Sequence, residues 1–305
     1  MVKNVTDFEF PRSVYEKNYT HLETKNLPAE FQYTFQFGKY ELVYKYIKTD
    51  FQTYSYEEVV INDVVLALRN KNKIEILAFE GAEYLSKELS NDKISLIAYL
   101  RNNANLDKRK IYNKIFSNFL DFVDGMLFFR SLDVREYIGY DSGVSDIFEY
   151  IVKKNKVMEL QLFLEKAGIK YHLEASSDDI YCVFGKNKSE LHQIMSSGTQ
   201  TLLLFYYWLL RIKEDKKVVS LLFIDEFDAF YHFELSKAIV EELKTFTGQT
   251  ILTTHNTSLL SNELLRPDCY FVINNQKIQS LPNLTDREIR AVHNLEKLYK
   301  AKAFN

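Results

Sequence analysis

The chain has 305 residues, of which 46% are hydrophobic and 15% are aromatic. This composition supplies a substantial buried core, so it excludes a disordered chain and predicts one large or two ordinary globular domains. The formal net charge of −3 provides no strong basic field and so no support for nucleic-acid binding. The two cysteines, Cys182 and Cys269, have no CxxC partner. Their spacing argues against a zinc site and a disulfide scaffold, and it predicts two small buried residues.

The amino-terminal sequence, MVKNVTDFEFPRS, has no apolar core of the kind that a signal peptide needs. No run elsewhere reaches the roughly 18 apolar residues of a membrane helix. These features predict a soluble, cytoplasmic protein with no membrane partner. Residues 1–28 are polar and without pattern, so we expect an irregular lead-in there.

Residues 29–81 show the alternation that is typical of antiparallel strands. Aromatic residues occupy every second position from Phe31 to Phe37, Gly38-Lys39 is typical of a turn, and the alternation resumes at Leu42. The pattern predicts a hairpin that the sequence TYSYEEVVIND extends.

Residues 82–168 change to helical spacing, with apolar residues recurring every three or four positions, as at Ile111, Ile115 and Phe119. We expect a helical lobe here. Its aromatic stripes are typical of core packing, and they give no sign of a cofactor.

Residues 169–305 alternate between strands and helices. The strands are predicted at 218–224, 250–254 and 269–274, with helices between them at about 234–246 and 258–265. Strands joined by single helices favour right-handed crossovers and a parallel sheet. Ahead of them, small polar residues followed by a long apolar run predict a buried helix beginning near Ser197.

The sequence SLLFIDEFDAFYH, residues 220–232, places two adjacent acids after an apolar strand. In open α/β sheets, ligands bind at the carboxyl ends of the strands. Asp225 is suited to hold Mg²⁺ through water, and Glu226 to orient an attacking water or accept its proton. A pair of acids at a strand end also occurs as a solvated loop start, so the pair alone leaves both interpretations open.

Two further segments have a phosphate-related interpretation. Ser196 and Gly198 lie at a predicted helix start, where free amides and the helix dipole attract anions. His255 directly follows the strand TILTT, where an imidazole can reach a terminal phosphate. Each also has a structural interpretation, as a helix cap or as a structural histidine.

In this order along the chain, the three segments resemble the heads of ABC-type ATPases. The resemblance is closest to the AAA-like ATPases of the bacterial abortive-infection and phage-defence group, which are related to SMC and recombination-repair heads. It covers most of residues 29–305, and the final NLEKLYKAKAFN is similar to the Lys-Tyr tail of that group. It implies a P-loop-NTPase-like α/β fold with a mostly parallel sheet. An antiparallel β subdomain at 29–81, a helical insertion at 82–168 and a C-terminal ATPase lobe at 169–305 would complete that fold.

The resemblance also implies roles for individual residues. They are a nucleotide-binding signature motif acting in trans at Ser196, Ser197 and Gly198, a magnesium ligand through water at Asp225, a catalytic base at Glu226 and a catalytic switch histidine at His255. Two positions depart from the usual pattern: His232 stands where many transporters have the D-loop Asp, and Thr199 replaces a Gln or Glu.

The same resemblance implies ATP as substrate, Mg²⁺ as cofactor and two heads that sandwich ATP as a homodimer or heterodimer. It further implies a nuclease or other effector, or DNA, as a partner in phage defence or in a DNA-related process. The chain would then act as a nucleotide-dependent dimerising switch.

The P-loop pattern G-x-x-x-x-G-K-[S/T] does not occur in the sequence. Gly38-Lys39 and Gly185-Lys186 lack the preceding glycine and the Ser or Thr that must follow the lysine. We therefore expect a head that lacks its first βα unit. On its own, this chain should bind ATP weakly and should not hydrolyse it. Two alternatives stay open: a non-catalytic interaction module that partners a complete ATPase subunit, and a metal-dependent nuclease built on Asp225, Glu226 and Asp228.

Overall fold

The computed structural model describes residues 19, 24, 27–130, 136–138, 147–214, 219–229, 232–274, 276–286, 288–290 and 292–304. The chain divides into two compact units, residues 1–126 and 127–305. Within the described ranges, no helix has the length and apolar character of a membrane span. The lead-in expected at residues 1–28 lies almost wholly outside the described residues.

The first unit is built on a five-stranded antiparallel sheet whose strands follow one another in chain order. They are β1 (Ala29–Phe37), β2 (Tyr40–Lys48), β3 (Tyr54–Ile61), β4 (Val64–Asn70) and β5 (Lys73–Leu77). Gly38 begins the turn between β1 and β2 with a φ of +61°, which glycine adopts without steric cost. The predicted hairpin and its extension into β3 are confirmed.

Two helices complete the described part of this unit, α1 (Leu96–Asn103) and α2 (Ile111–Asp124). The Ser95 hydroxyl caps α1 by accepting the N–H of Ala98 at 3.1 Å. Phe119 of α2 is fully buried, and its ring centroid lies 5.0 Å from that of Phe35 on β1. The aromatic stripe of α2 is therefore core packing, as predicted.

The remaining elements are, in chain order, β6 (Met126–Arg130), β7 (Glu136–Ile138), α3 (Ile147–Lys153), α4 (Val157–Lys166), β8 (Leu173–Ser176), β9 (Asp179–Phe184), β10 (Asn187–Glu190), α5 (Leu191–Ile194), α6 (Ser197–Glu214), β11 (Leu221–Asp225), α7 (Phe233–Leu243), β12 (Gln249–Leu252), β13 (Phe271–Asn274), β14 (Lys277–Ser280) and α8 (Leu295–Lys300). A four-stranded sheet has the order β12-β11-β6-β7. In it β11 and β12 are parallel, and β6 and β7 are antiparallel.

The segment 82–168 is not one helical lobe. The division between the two units falls inside it, and β6 separates its helices. The sequence MLFFR of β6 is a short apolar run between two helical patterns, so the periodicity of its neighbours hides it. The ring of Phe128 lies 5.1 Å from that of Phe223 on β11, as expected for neighbouring strands.

The segment 258–265 and the strand after it also differ from the prediction. A single 3₁₀ turn, Thr257–Leu259, replaces the predicted helix. The Ser261 hydroxyl accepts the N–H of Glu263 at 3.2 Å, and such a local bond competes with helical pairing. Strand β13 pairs antiparallel with β14 and forms a separate two-stranded sheet, because the chain turns back near Gln276, whose φ is +65°.

The core of the second unit surrounds α6. Nearly every residue in the body of this helix is buried: Leu202, Leu203, Phe205, Tyr206, Tyr207, Trp208, Leu209 and Leu210. The same core includes Ile224 from β11 and Ile180 from the three-stranded antiparallel sheet β10-β9-β8. The predicted buried helix is confirmed. Cys182 is buried in this core as predicted, but Cys269 is exposed.

Candidate functional site at the carboxyl ends of β11 and β12

Strands β11 and β12 run parallel and end at the same edge of their sheet, with Ile224 opposite Leu252. The chains stay hydrogen-bonded one step beyond the strands. The N–H of Thr253 donates to the carbonyl of Ile224, and the N–H of Phe227 donates to the carbonyl of Thr253, both at 3.1 Å. The residues that follow the two strands therefore lie side by side, as expected of parallel strands.

Thr253 connects both predicted site acids. Its hydroxyl donates to Asp225 Oδ1 at 2.6 Å and accepts the N–H of Glu226 at 2.7 Å. One hydroxyl can do both, because it carries one proton and two lone pairs. Next to it, the Thr254 hydroxyl donates to Asp228 Oδ1 at 2.6 Å. The two threonines thus tie the acidic loop to the neighbouring strand.

Glu226 has a strained backbone. Its φ is +46°, in the left-handed region, which costs a residue with a side chain about 1–2 kcal/mol. The bond from its N–H to Thr253 and the burial of the next residue, Phe227, hold it there. Strain of this kind persists only where the surroundings enforce it, and it concentrates at functional sites.

The strained loop brings Glu226 to His255. Glu226 Oε1 lies 3.4 Å from His255 Nε2, and the two side chains are 30% and 91% exposed. A carboxylate and an imidazole so placed can share a proton, and both can reach a ligand from solvent. Asp225 is exposed at the end of β11. Its carboxylate is a hard oxygen donor, which fits Mg²⁺.

Asp225, Glu226 and Asp228 do not form a compact metal cluster. Among the described residues, they do not make up a group of three whose ligand atoms all lie within 4.8 Å of one another. A two-metal nuclease needs several carboxylates that share ions about 4 Å apart. The geometry therefore gives the nuclease hypothesis no support.

The predicted signature residues lie at the start of α6. The Ser196 hydroxyl accepts the N–H of Thr199 at 3.2 Å and lies 3.0 Å from the Thr199 hydroxyl, and the Ser196 carbonyl accepts the N–H of Gln200 at 3.0 Å. Ser196 is therefore the N-cap of an 18-residue helix. Ser196 and Ser197 are exposed, whereas Thr199 is buried.

A family model described as "AAA domain, putative AbiEii toxin, Type IV TA system" matches residues 1–261. The chain belongs to this family. Membership in this AAA family indicates a nucleotide-binding, ATPase-like protein with a P-loop-NTPase-like α/β fold, in an abortive-infection or toxin–antitoxin setting. Families of this kind generally use ATP and Mg²⁺. A comparison with curated proteins found no match.

Both Gly-Lys pairs of the sequence, and His232 at the D-loop position of the resemblance, have structural roles. Gly185 and Lys186 form the turn between the antiparallel strands β9 and β10, and Gly38 and Lys39 form a similar turn. A P-loop joins a strand to a helix, so neither turn is one. His232 caps α7: its Nδ1 accepts the N–H of Leu235 at 3.4 Å, and its Nε2 lies 3.1 Å from the carbonyl oxygen of Ala167.

The structure brings Asp225, Glu226 and His255 together, whereas the signature residues belong to another element and bond within their own helix start. Sequence reasoning missed the roles of Thr253 and Thr254. The signal was present, because two hydroxyl residues directly follow the apolar strand of β12. Hydroxyls at the end of a strand next to acidic residues are ready donors to them.

Proposed function

We propose that this AAA-family chain is the head of an ATPase that binds and hydrolyses Mg-ATP and pairs with a second head around the nucleotide. One observation carries the proposal. Thr253 holds the Asp225-Glu226 pair at the carboxyl edge of the sheet, with His255 3.4 Å from Glu226. Membership in the AAA family supports nucleotide binding. The geometry supports the roles proposed for Asp225, Glu226 and His255.

In this proposal Asp225 would hold Mg²⁺ through water. When bound, the ion supplies charge neutralisation for the phosphate oxygens. Glu226 accepts the proton of a water as that water attacks the γ-phosphorus, while the bond from this phosphorus to the bridging oxygen breaks and ADP leaves. His255, beside the carboxylate, contacts the γ-phosphate and orients Glu226.

The signature residues complete the proposed site in trans. Ser196, Ser197 and Gly198 would meet the phosphates bound to the partner head, because the first amides of α6 are suited to anions. The sequence given contains no P-loop pattern, so we propose that another segment or subunit supplies it. The same observation favours a second candidate, a non-catalytic module that lends this face to a complete ATPase.

The test uses the chain in its native assembly, purified from its host, with Glu226→Gln and a matched exposed control, Glu263→Gln. The Glu263 side chain is 84% exposed. We expect Glu226→Gln to retain nucleotide binding and to lower ATP turnover at least about 100-fold, the low end for a general base. The control should turn over ATP like the wild type.

Light scattering with and without Mg-ATP would follow pairing in the same samples. We expect Glu226→Gln to accumulate the paired state, since bound ATP then persists. A wild-type assembly that pairs on ATP without hydrolysing it would favour the interaction module. An assembly that neither binds nor hydrolyses ATP would overturn the ATPase proposal.

A further inference from the structure

A second group of potential ligand side chains lies on β9, β10 and α5. Asp179, Glu190 and His192 each offer an atom to a metal, and these atoms all lie within 4.8 Å of one another. Two strands and a helix bring them together. Glu190 on β10 pairs with Tyr181 on β9, and Asp179 lies two residues before Tyr181, so both acids share one face of the sheet.

His192 is fixed by the helix that follows β10. Helix α5 begins at Leu191, whose side chain is fully buried, so the next residue is held close to the end of the strand. His192 Nε2 lies 3.4 Å from Glu190 Oε2, and the two side chains are 49% and 33% exposed. An imidazole beside two carboxylates is a mixed donor set, which distinguishes the group from a patch of surface acids.

In the described part of the chain, no lysine or arginine forms an ion pair with Asp179 or Glu190. Glu174, on the neighbouring strand β8, provides the contrast, because Lys188 forms an ion pair with it. A bound cation would neutralise the two carboxylates, as the lysine neutralises Glu174.

Neighbouring side chains orient the ligands. Gln193 Nε2 donates to Glu190 Oε2 at 2.5 Å, and the Tyr181 hydroxyl lies 3.4 Å from Glu190 Oε1. Asp179 Oδ1 accepts the N–H of Ile180 at 2.7 Å. Such outer hydrogen bonds are typical of metal sites, where they restrict the ligand side chains.

We propose that Asp179, Glu190 and His192 bind one divalent transition-metal ion, for which Zn²⁺ is the best match, and leave a fourth position to water. Carboxylate and imidazole groups both bind Zn²⁺, and sites with three protein ligands and one water are common. Neighbouring ligand atoms around tetrahedral Zn²⁺ are about 3.4 Å apart, given bonds of about 2.1 Å. The ligand atoms of Asp179, Glu190 and His192 lie within 4.8 Å of one another, and small rotations of these partly exposed side chains would bring them to that spacing.

The site has a consequence for the chain that follows it. The ligand His192 is in α5, and Ser196, the cap of α6, follows that helix after one intervening residue. A bound ion would therefore fix the segment that leads into the start of α6. The lack of a CxxC pair does not bear on this site, because none of its ligands is a thiolate.

Calorimetric titration of the chelator-treated full chain with Zn²⁺ tests the proposal. We expect one ion per chain, and at least about 10-fold weaker binding in Asp179→Asn, Glu190→Gln and His192→Asn. His172→Ala is the matched control: His172 Nε2 lies 3.9 Å from Glu174 Oε1, but within the described part of the chain this pair has no third ligand. Cys269→Ser controls for the exposed thiol. Both controls should bind like the wild type.

Thermal unfolding provides a second readout. Zn²⁺ should raise the unfolding temperature of the wild type and of both controls, and it should leave that of the three ligand variants unchanged, because binding to the folded state alone stabilises it. Asp179→Asn and Glu190→Gln are isosteric and His192→Asn places a smaller polar side chain, so we expect all three variants to keep the fold, which circular dichroism checks. The proposal is overturned by absent Zn²⁺ binding in the wild type, by equal binding in folded ligand variants, or by binding that disappears in Cys269→Ser.

Discussion

Two glutamates show how the same side chain serves different purposes in the two units. Glu57 is fully buried in the first unit: its Oε1 accepts the Tyr44 hydroxyl at 2.8 Å, and its Oε2 accepts Arg69 Nη1 at 2.6 Å and the N–H of Leu96 at 2.8 Å. Glu226 in the second unit is 30% exposed, on a strained backbone, with an exposed imidazole beside it.

The difference lies in what surrounds each carboxylate. Burial raises the pKa of Glu57, and the Arg69 guanidinium and the hydrogen bonds oppose that shift. Both Glu57 oxygens are bound by fixed donors, so the group joins β2, β3, β4 and α1 and is not accessible to a ligand. Glu226 is accessible from solvent and is held by its own backbone. The buried acid therefore stabilises the fold, and the exposed acid is placed for chemistry.

Removing the cation beside Glu57 should have the largest effect on stability. Arg69 is fully buried, and besides Glu57 it donates to the carbonyls of Lys71 and Asp92. Arg69→Met leaves a buried, uncompensated carboxylate, so we expect a loss of about 3–5 kcal/mol in the free energy of unfolding, measured by urea denaturation.

The matched control is Arg101→Met. Arg101 pairs with Asp124 on the surface, with side chains 36% and 38% exposed, so its loss should cost at most about 1 kcal/mol. Adding Glu57→Gln to Arg69→Met should recover part of the stability, because the uncompensated charge is then gone. Equal losses in the two arginine variants would contradict a structural role for the Glu57 group.

The position of the exposed acid, Glu226, should depend on a single hydroxyl, that of Thr253. Thr253→Val keeps the shape of the side chain but removes both the donor to Asp225 and the acceptor for the N–H of Glu226. If the proposed ATPase function holds, turnover in the native assembly should fall about 10-fold, equivalent to about 1.4 kcal/mol. Thr253→Ser should restore it.

Thr254→Val is the paired control, because it removes an equivalent bond to Asp228, which has no proposed role in the reaction. Both valine variants should lose about 1 kcal/mol in the free energy of unfolding. Only Thr253→Val should lower turnover. If the two variants lowered turnover equally, Thr253 would be one of several contacts that stabilise the loop rather than a residue that positions the two acids.

The sequence predicts local patterns in this molecule better than pairings between distant segments. The turn at Gly38, the buried body of α6 and the two acids at the end of β11 all follow from periodicity or from residues that are adjacent in sequence. The pair Glu57 and Arg69 does not, because charges in alternating strands are typical of a solvated face and only the register shows them buried. Strand β6 is not predicted either, because its short apolar run lies between two helical patterns.

The two candidate sites also differ in how far local sequence patterns predict them. Asp225 and Glu226 are adjacent in the sequence. Because parallel strands end at the same edge of a sheet, the sequence also predicts that His255 lies close to them. The group of Asp179, Glu190 and His192 depends on the β9–β10 register and on the start of α5, which the sequence pattern does not specify. The backbone strain at Glu226 likewise has no signal in a sequence, because glutamate rarely adopts a positive φ.

The smallest effect that we predict concerns a cation near Glu57. Lys48 is 7% exposed, its Nζ donates to the carbonyl of Phe51 at 2.5 Å, and it lies 4.4 Å from the ring centroid of Tyr54. Burial lowers the pKa of Lys48 from 10.5 to about 8, although Glu57 and Asp50 oppose the shift. The folded protein therefore releases this proton at a lower pH than the unfolded chain does.

Between pH 8 and about 9.5 the unfolded chain thus binds more protons at this lysine, so the free energy of unfolding should rise with pH. After allowance for solvent screening, we expect a gain below about 1 kcal/mol. Above that range the sign reverses, because burial raises the pKa of Tyr44 and the unfolded chain then loses tyrosine protons first. Urea denaturation across this range should show the rise in the wild type and in Lys45→Met, but not in Lys48→Met. A rise that persists in Lys48→Met would show that another group causes it, and it would contradict the assignment of this pH dependence to Lys48.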